Sequence, residues 1–350
     1  MIPASPQELK ATLRDVARLA GVSPMTVSRA ITSRGVVKEA TRELVMSAVR
    51  ELNYQPNFAA RDLATRDVLR IAILYANPSS AYLSAFLLGL IENASEIGCQ
   101  LVVEYWDEAL NSSRLLEKLR LTSVSGVILT PPLSDSDAIL SAIQNENIPL
   151  VSVAPGRNRD GFSSVSIDDF TAAQAMTRHL IDLGHSTIGF ISGDYNLHSA
   201  KCRQDGFIHA MSHAGLKIRL GDIQPGNFTY RSGMQAAGAL LARQDRPTAI
   251  FAANDDMAAG ALSMAHSLGL NVPSELSVAG FDDTAIATTV WPELTTIHQP
   301  IKAMAHNALH ILKTSIRNHH EGVSSPISHV VSPFSLVDRL SCAPPPMTRM

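Results

Sequence analysis

Apolar residues recur along this chain with two different periods. Between Thr12 and Leu52 they fall three or four apart: Val16, Leu19 and Ala20, then Val27 and Ile31, then Leu44, Val45, Ala48, Val49 and Leu52. That is the spacing of one helix face, and it predicts three short helices, the third from about Glu39 to Leu52. From Val68 onward the apolar residues gather in short runs: LRIAILY (69–75), QLVVEY (100–105), GVILT (126–130), LVSV (150–153), IGFIS (188–192), TAIFA (248–252) and LSVAG (276–280). Such runs, alternating with amphipathic stretches, predict parallel sheets wrapped by helices, and the length fits two of them.

The punctuation of the first region carries more information than its helices. Thr12 and Asp15 have the spacing of a capping box. Gly21 suits a left-handed helix end, Ser23 can cap the next helix, and Pro24 fits its first turn. Two helices joined by so short a turn form a helix-turn-helix. On duplex DNA the second helix would turn Met25, Thr26, Ser28 and Arg29 toward the major groove. Arg29 can grip a guanine edge, and Met25 or Thr26 can touch a thymine methyl. A plain helical hairpin has the same local signals. After Asn53-Tyr54-Gln55-Pro56-Asn57 the segment 57–65 is long enough for two helical turns but has little to pack on.

Charge sharpens this picture. Residues 1–66 carry ten Lys/Arg against six Asp/Glu, whereas the whole chain is at −3, so a basic head sits on an acidic body. Only the head is suited to a polyanion, although a solvated basic face would look the same. Three cysteines, Cys99, Cys202 and Cys342, are odd in number and widely spaced. They argue against a disulfide framework or a zinc site and fit a reducing cytoplasm. No stretch approaches the ~18 apolar residues of a membrane span. The first ten residues lack the pattern of a secretory signal and read as a disordered leader.

The stretch TLRDVARLAGVSPMTVSRAI (12–31) resembles the DNA-binding head of the LacI/GalR family of bacterial transcription regulators. The likeness runs without a gap from Thr12 to Arg29 and continues through VVKEATRELVMSAVRELNYQPNFAARDLAT (36–65). This resemblance implies a DNA-binding role for Thr12, Ser23, Met25, Thr26, Ser28 and Arg29. It also implies that the segment after Pro56 becomes a hinge helix only on operator DNA. Asn57, Ala60 and Leu63 stand at the matching positions, with Leu63 as the wedge between base pairs. A helix this short is marginal in water, and a minor-groove wedge can offset unstacking by bending the duplex. Two residues depart from the pattern: Lys38 replaces the short polar cap of the third helix, and Asp62 adds a negative charge near the backbone contacts.

The body resembles the same family's effector domain. SIDD (166–169), HLIDLGHSTIGFISG (179–193), RQDGF (203–207), TAIFAANDDMAAGAL (248–262), VPSELSVAGFDDT (272–284) and LTTIHQP (294–300) carry the likeness. The implied fold class is α plus α/β: a three-helix head with a hinge over residues 11–66, then a two-lobed type I periplasmic-binding-protein-like domain over 68–340. The first lobe is expected at about 68–160 and 297–330, the second at about 161–296, and a tail at 341–350. A small effector, with a slight lean toward a carbohydrate, is expected between the lobes at the strand ends. By position Tyr82, Asp168, Arg203, Phe228 and Asp255 are the expected effector contacts. Arg203 would donate a fork of hydrogen bonds, and Asp255 would accept from ligand hydroxyls. Phe228 or Tyr82 taken alone is more often packing than a ligand contact, and helix capping would account for Asp255 and for Asp282-Asp283.

Enzyme chemistry finds no support in the chain. There is no G-x-G-x-x-G after the first strand, no G-x-x-x-x-G-K-[ST] and no G-x-S-x-G. His306 and His310 are four apart, but Asn307 stands where a metalloprotease would need Glu. Cys202 lies beside Arg203, which can lower a thiol pKa, without an evident partner. No cofactor or metal is expected. The reading is a cytoplasmic, non-enzymatic repressor that binds a pseudo-palindromic double-stranded operator as a homodimer, under control of a small effector. The tail SCAPPPMTRM lacks the leucine heptad that builds tetramers in some relatives. A sugar-binding or sugar-processing protein with an appended helix-turn-helix is the alternative, and a DNA-bending structural protein is a third.

Overall fold

Thr12 opens the first helix with both halves of the capping box. Its backbone N–H donates to the Asp15 carboxylate at 3.0 Å, and its Oγ1 accepts from the Asp15 N–H. The structure, a computed structural model, describes residues 12–32, 38–52, 69–76, 79–106, 112–157 and 159–346. It divides into two compact units, the break falling between residues 68 and 69.

In the first unit α1 (Leu13–Leu19) ends at Gly21, whose φ of +65° is the left-handed turn that a side chain would strain. Ser23 Oγ then accepts from the Thr26 N–H at 3.1 Å and starts α2 (Pro24–Thr32). The third helix, α3 (Glu39–Glu51), begins at Lys38 without a side-chain cap. Val16, Ala17, Val27, Ala30, Val45 and Ala48 form the core. Leu19 and Leu44, expected in the apolar stripe, are 46% and 59% exposed. Three helices this short enclose one row of side chains each, so the next residue round the helix is left outside. The side chain of Ile31 lies outside the described residues.

The second unit contains the two expected parallel sheets. Its elements in order are β1 (Leu69–Tyr75), α4 (Ser80–Ile97), β2 (Cys99–Tyr105), α5 (Ser112–Leu121), β3 (Gly126–Leu129), α6 (Asp137–Asn145), β4 (Leu150–Val153), β5 (Ser163–Ser166), α7 (Asp169–Asp182), β6 (Ile188–Ile191), α8 (His198–His213), β7 (Ile223–Gln224), α9 (Tyr230–Leu241), β8 (Ala249–Ala252), α10 (Asp255–Ser267), β9 (Ser277–Ala279), α11 (Ala285–Thr289), β10 (Thr296–His298), α12 (Ile301–His320), β11 (His329–Val331) and β12 (Ser335–Val337). The first sheet has the order β11-β5-β4-β3-β1-β2 and the second β7-β6-β8-β9, with every pair parallel. Ile71 and Ile73 face the core shared with α4 and α12, while Ala72 and Leu74 face α5 and α6. That two-sided burial is why the central strands read as unbroken apolar runs.

Three crossings join the lobes, where two were expected. The first falls after β5, because residues 163–166 pair with β4 and β11 in the first sheet instead of opening the second lobe. With a single apolar residue, Val165, that strand has no run to announce it. The second crossing leads from β10 into α12. The third runs from β11 to β12, which pairs antiparallel with β10. Beyond it the expected tail is tied to the second lobe: the Val278 N–H donates to Ser341 O at 2.9 Å, and Ala343 O accepts from Ser277 Oγ at 3.0 Å. Among the described residues no helix is long and apolar enough to cross a membrane.

Candidate functional site

On α2, Met25 is 65% exposed and Arg29 is exposed, while Val27 and Ala30 between and beyond them are buried. One face of the helix therefore builds the core and the other is open. Thr26 is half-buried, its hydroxyl 2.9 Å from that of Ser23, so both help to set the helix start. Thr12 is exposed and its hydroxyl donates to Asp15 at 2.6 Å. The side chain of Ser28, and all of Asn57, Ala60, Asp62 and Leu63, lie outside the described residues.

Within the body, a cavity of about 40 Å³ lies at the strand ends of the two lobes. Tyr82 and Ser79 reach it from the start of α4, and Pro131 and Ala154 follow β3 and β4. Leu197, Arg203, Phe228, Asn254 and Asp282 come from the second lobe, and Gln299 from the second crossing. Of the five expected contacts, Tyr82, Arg203 and Phe228 line this cavity.

Arg203 is the charged centre. Its Nε donates to Asp169 at 2.7 Å, and its Nη1 donates to Ala253 O at 2.5 Å and to Asp282 at 3.3 Å. The guanidinium also stacks 3.7 Å above the Phe281 ring, a cation–π contact out of water. Gln299 Nε2 donates to the same Asp282 oxygen at 2.6 Å. The ring of Phe228 packs over Gly193, where a Cβ would lie 2.1 Å from it, so Gly193 is what admits the ring. The Tyr82 hydroxyl is buried and has no hydrogen-bond partner among the described residues.

Two expected contacts, Asp255 and Asp168, are not among the residues that line this cavity. Asp255 is buried behind the cavity, and its oxygens accept from Thr296 Oγ1 at 2.6 Å and from the Thr284 N–H at 2.8 Å. Among the described residues the lining carboxylate is Asp282. Asp168 is exposed and caps α7, accepting from the Thr171 N–H at 3.0 Å, while its neighbour Asp169 holds Arg203. Asp256 accepts from Ser79 Oγ at 2.7 Å and so ties α10 to the first lobe.

Burial dominates the ionisation of this cluster. It raises Asp282 to about 7 against the pull of Arg203, and it raises Asp255 well above the usual carboxylate range with help from the charge of Asp282. Asp169 and Asp256 are raised for the same reason. Burial opposes the Arg203 cation as well, but Asp169 and Asp282 outweigh it and raise its pKa. A carboxyl that titrates higher folded than unfolded contributes stability at low pH that is lost as pH rises through the folded value. His185 acts in the opposite sense, because burial lowers its pKa, and that effect is spent above about pH 6.5. Between about pH 6.5 and pH 8 the body is therefore expected to lose about 1 kcal/mol through Asp282. Urea titrations across that range in the wild type and in Asp282→Asn measure it, and the slope should flatten in the variant.

The Cys202 thiol does not respond to Arg203 as expected: burial, then Asp169, push it up to about 11. His306 Nδ1 lies 2.6 Å from Asn93 Oδ1, which accounts for one of the spaced histidines by packing. Asp283 is bonded to Arg339 at 2.6 Å and to His298 at 2.9 Å.

Comparison with known proteins gives a consistent result. Residues 12–57 match the family described as bacterial regulatory proteins, lacI family, and residues 177–342 match the periplasmic binding protein-like domain. The chain is 34% identical over 339 residues to the HTH-type transcriptional regulator DegA of Bacillus subtilis, covering 96% of this chain and 99% of the relative. It is 33% identical over 338 residues to the HTH-type transcriptional repressor PurR of Escherichia fergusonii, covering 96% and 98%. Among solved structures, a lac repressor dimer bound to operator and the anti-inducer ONPF superposes with a TM-score of 0.77 at 28% identity, covering 96% of this chain and 100% of that one. A complex of the transcriptional regulator CelR with cellobiose gives a TM-score of 0.71 at 30% identity, covering 95% and 99%.

Proposed function

Since this chain belongs to the LacI family of bacterial regulatory proteins and is a DNA-binding transcriptional regulator with a ligand-binding domain, we propose that it is a repressor that reads a pseudo-palindromic operator as a homodimer, under control of a small effector, a carbohydrate, in the inter-lobe cavity. Met25, Thr26, Ser28 and Arg29 would meet base edges and phosphates, Thr12 and Ser23 would position the helix, and Asn57, Ala60 and Leu63 would form the hinge. The observation that carries the reading is the two-faced α2, with Val27 and Ala30 buried and Met25 and Arg29 open to solvent.

Effector control follows from the body. Its cavity of about 40 Å³ is far below the ~300 Å³ where ordinary ligand sites begin. Occupancy would have to part the lobes, so a ligand binds the two lobe arrangements with different affinity, which is what coupling requires. Dimerisation is supported by exposed apolar side chains of the first lobe: Leu88 and Ile91 on α4, Val103 and Tyr105 on the edge strand β2. The chemistry of Arg203 and Asp282, a donor fork beside an acceptor, suits hydroxyls. A protein with this role works beside the genome, in the bacterial cytoplasm.

Fluorescence anisotropy on a library of pseudo-palindromic duplexes tests this reading. Affinity for the preferred duplex should fall on the order of a thousandfold between about 50 mM and about 200 mM salt. Arg29→Ala should cost about 1–3 kcal/mol and relax the preference at one base pair. Equal affinity for palindromic and scrambled duplexes would rule the proposal out. Ligand binding without any duplex preference would favour the sugar-binding alternative.

A further inference from the structure

We infer that the body also holds the duplex, through a basic stripe on the last turns of α12 that meets backbone phosphates beside the hinge, an inference that rests on the operator reading above. His310, Lys313, Arg317 and His320 recur every three or four residues and so share one face of that helix. With Leu69 and Thr314 they line an open groove of about 570 Å³. Leu69 is the first residue of β1, so the groove lies where the chain enters the body. Among the described residues neither Lys313 nor Arg317 is paired with an acid, whereas Lys302, three turns earlier on the same helix, is held by Glu92 at 2.6 Å. Arg70, next along β1, meets two neutral acceptors, Gln100 Oε1 and Thr122 O, each at 3.5 Å. Glu321 in the lining and Glu96 near His310 are the acids at hand. Three cations thus stand against two acids, on a body that is otherwise acidic: the chain is at −3 and residues 1–66 at +4, which leaves −7 for the remainder.

Chain length supplies the partner. Six residues lead from Leu63, the proposed wedge, to Leu69, and six residues span at most about 20 Å when fully extended. The minor groove that would receive Leu63 is about 6 Å wide and is walled by phosphates. Whatever surface surrounds Leu69 is therefore brought within reach of both strands, and here that surface carries cations without acid partners. Lysine and arginine contacts to phosphate fix a protein's position on the duplex and carry no sequence information. The stripe would add affinity and orientation, and the reading of bases would stay with α2. The basic head is then not alone in meeting the polyanion, as its charge by itself suggested.

Salt titrations of the full-length protein on its preferred duplex and on a scrambled one test this. Each phosphate contact contributes about 0.9 to the slope of log affinity against log salt, and a homodimer loses two contacts per substitution. Arg317→Gln should therefore make the slope shallower by about 1.8. The fall in affinity between about 50 mM and about 200 mM salt should then be about tenfold smaller than in the wild type. Lys313→Gln should act alike, and both should weaken the two duplexes by the same factor. Arg317→Lys keeps the charge and should keep the slope. Lys217→Gln removes an exposed cation of the second lobe, the same change in net charge, and should leave the slope as it is. Slopes in Arg317→Gln and Lys313→Gln equal to that of Lys217→Gln overturn the inference and leave the operator reading standing, and so does a loss confined to the preferred duplex. A wild type that binds no duplex overturns the operator reading, and this inference with it.

Discussion

Replacing Arg203 by alanine is expected to destabilise the ligand-binding body by about 3–5 kcal/mol at neutral pH, the cost of leaving buried carboxylates without their cation. Arg203 is 6% exposed, and both of its acid partners, Asp169 and Asp282, have side chains that are at most 12% exposed. Removing the guanidinium also removes its stack on Phe281 and its bond to Ala253 O. The loss should shrink as pH falls toward 5, because the abandoned acids can then protonate, whereas loss of packing alone would not depend on pH. Urea unfolding at pH 5 and pH 7.5 separates the two. A double variant with Asp169→Asn should recover part of the stability, since it removes one of the charges left unpaired. An unchanged midpoint in Arg203→Ala at pH 7.5 would mean that the cation is not neutralising this cluster.

Gly260→Ala is expected to cost about 3 kcal/mol, near the upper end for overpacking, because the obstacle is backbone and cannot move aside. A Cβ on Gly260 of α10 would lie 2.1 Å from Tyr230 O and 2.7 Å from Met234 N, both on α9. Gly233 of α9 makes the reciprocal approach, 2.2 Å from Met257 O. The two helices touch through their glycines. Gly238→Ala is the control: there the nearest atom is the flexible Met264 Cε at 3.2 Å, which can swing away. That substitution should be close to neutral, since alanine is favoured over glycine within a helix by about 1 kcal/mol. Thermal unfolding of the two variants side by side should show a large drop for Gly260→Ala and little change for Gly238→Ala. Equal effects would mean that α9 and α10 are not in close contact.

The chain itself announces most of the architecture, because its signals are local. Thr12 with Asp15, Gly21, Ser23 and Pro24 specify a cap, a turn and a second cap within thirteen residues, and the structure forms each of them. Strands such as 71–74 are legible because burial on both faces demands an unbroken apolar run. β5 escapes for the converse reason: Ser163, Ser164 and Ser166 fill a strand whose place is fixed by pairing with β4, the strand before it, and with β11, far away in sequence.

The site shows where local reading stops. Asp168-Asp169, Asp255-Asp256 and Asp282-Asp283 each fall at a strand-to-helix turn, so the sequence brings six carboxylates to the right end of the sheets. Which member of a pair turns inward depends on one residue of register. At the first pair it is Asp169 that meets Arg203, with Asp168 spent on a cap. At the second, Asp255 is consumed by Thr284, which follows β9 and caps α11, and by Thr296, which arrives only in β10 after α11. Asp282 reaches the cavity with a φ of +111°, a conformation that tertiary contacts impose and that no residue pattern predicts. Composition and periodicity thus determined the elements and their order. The charge balance of the cavity was decided by contacts between residues tens of positions apart, because an ion pair forms between whichever groups the fold brings together.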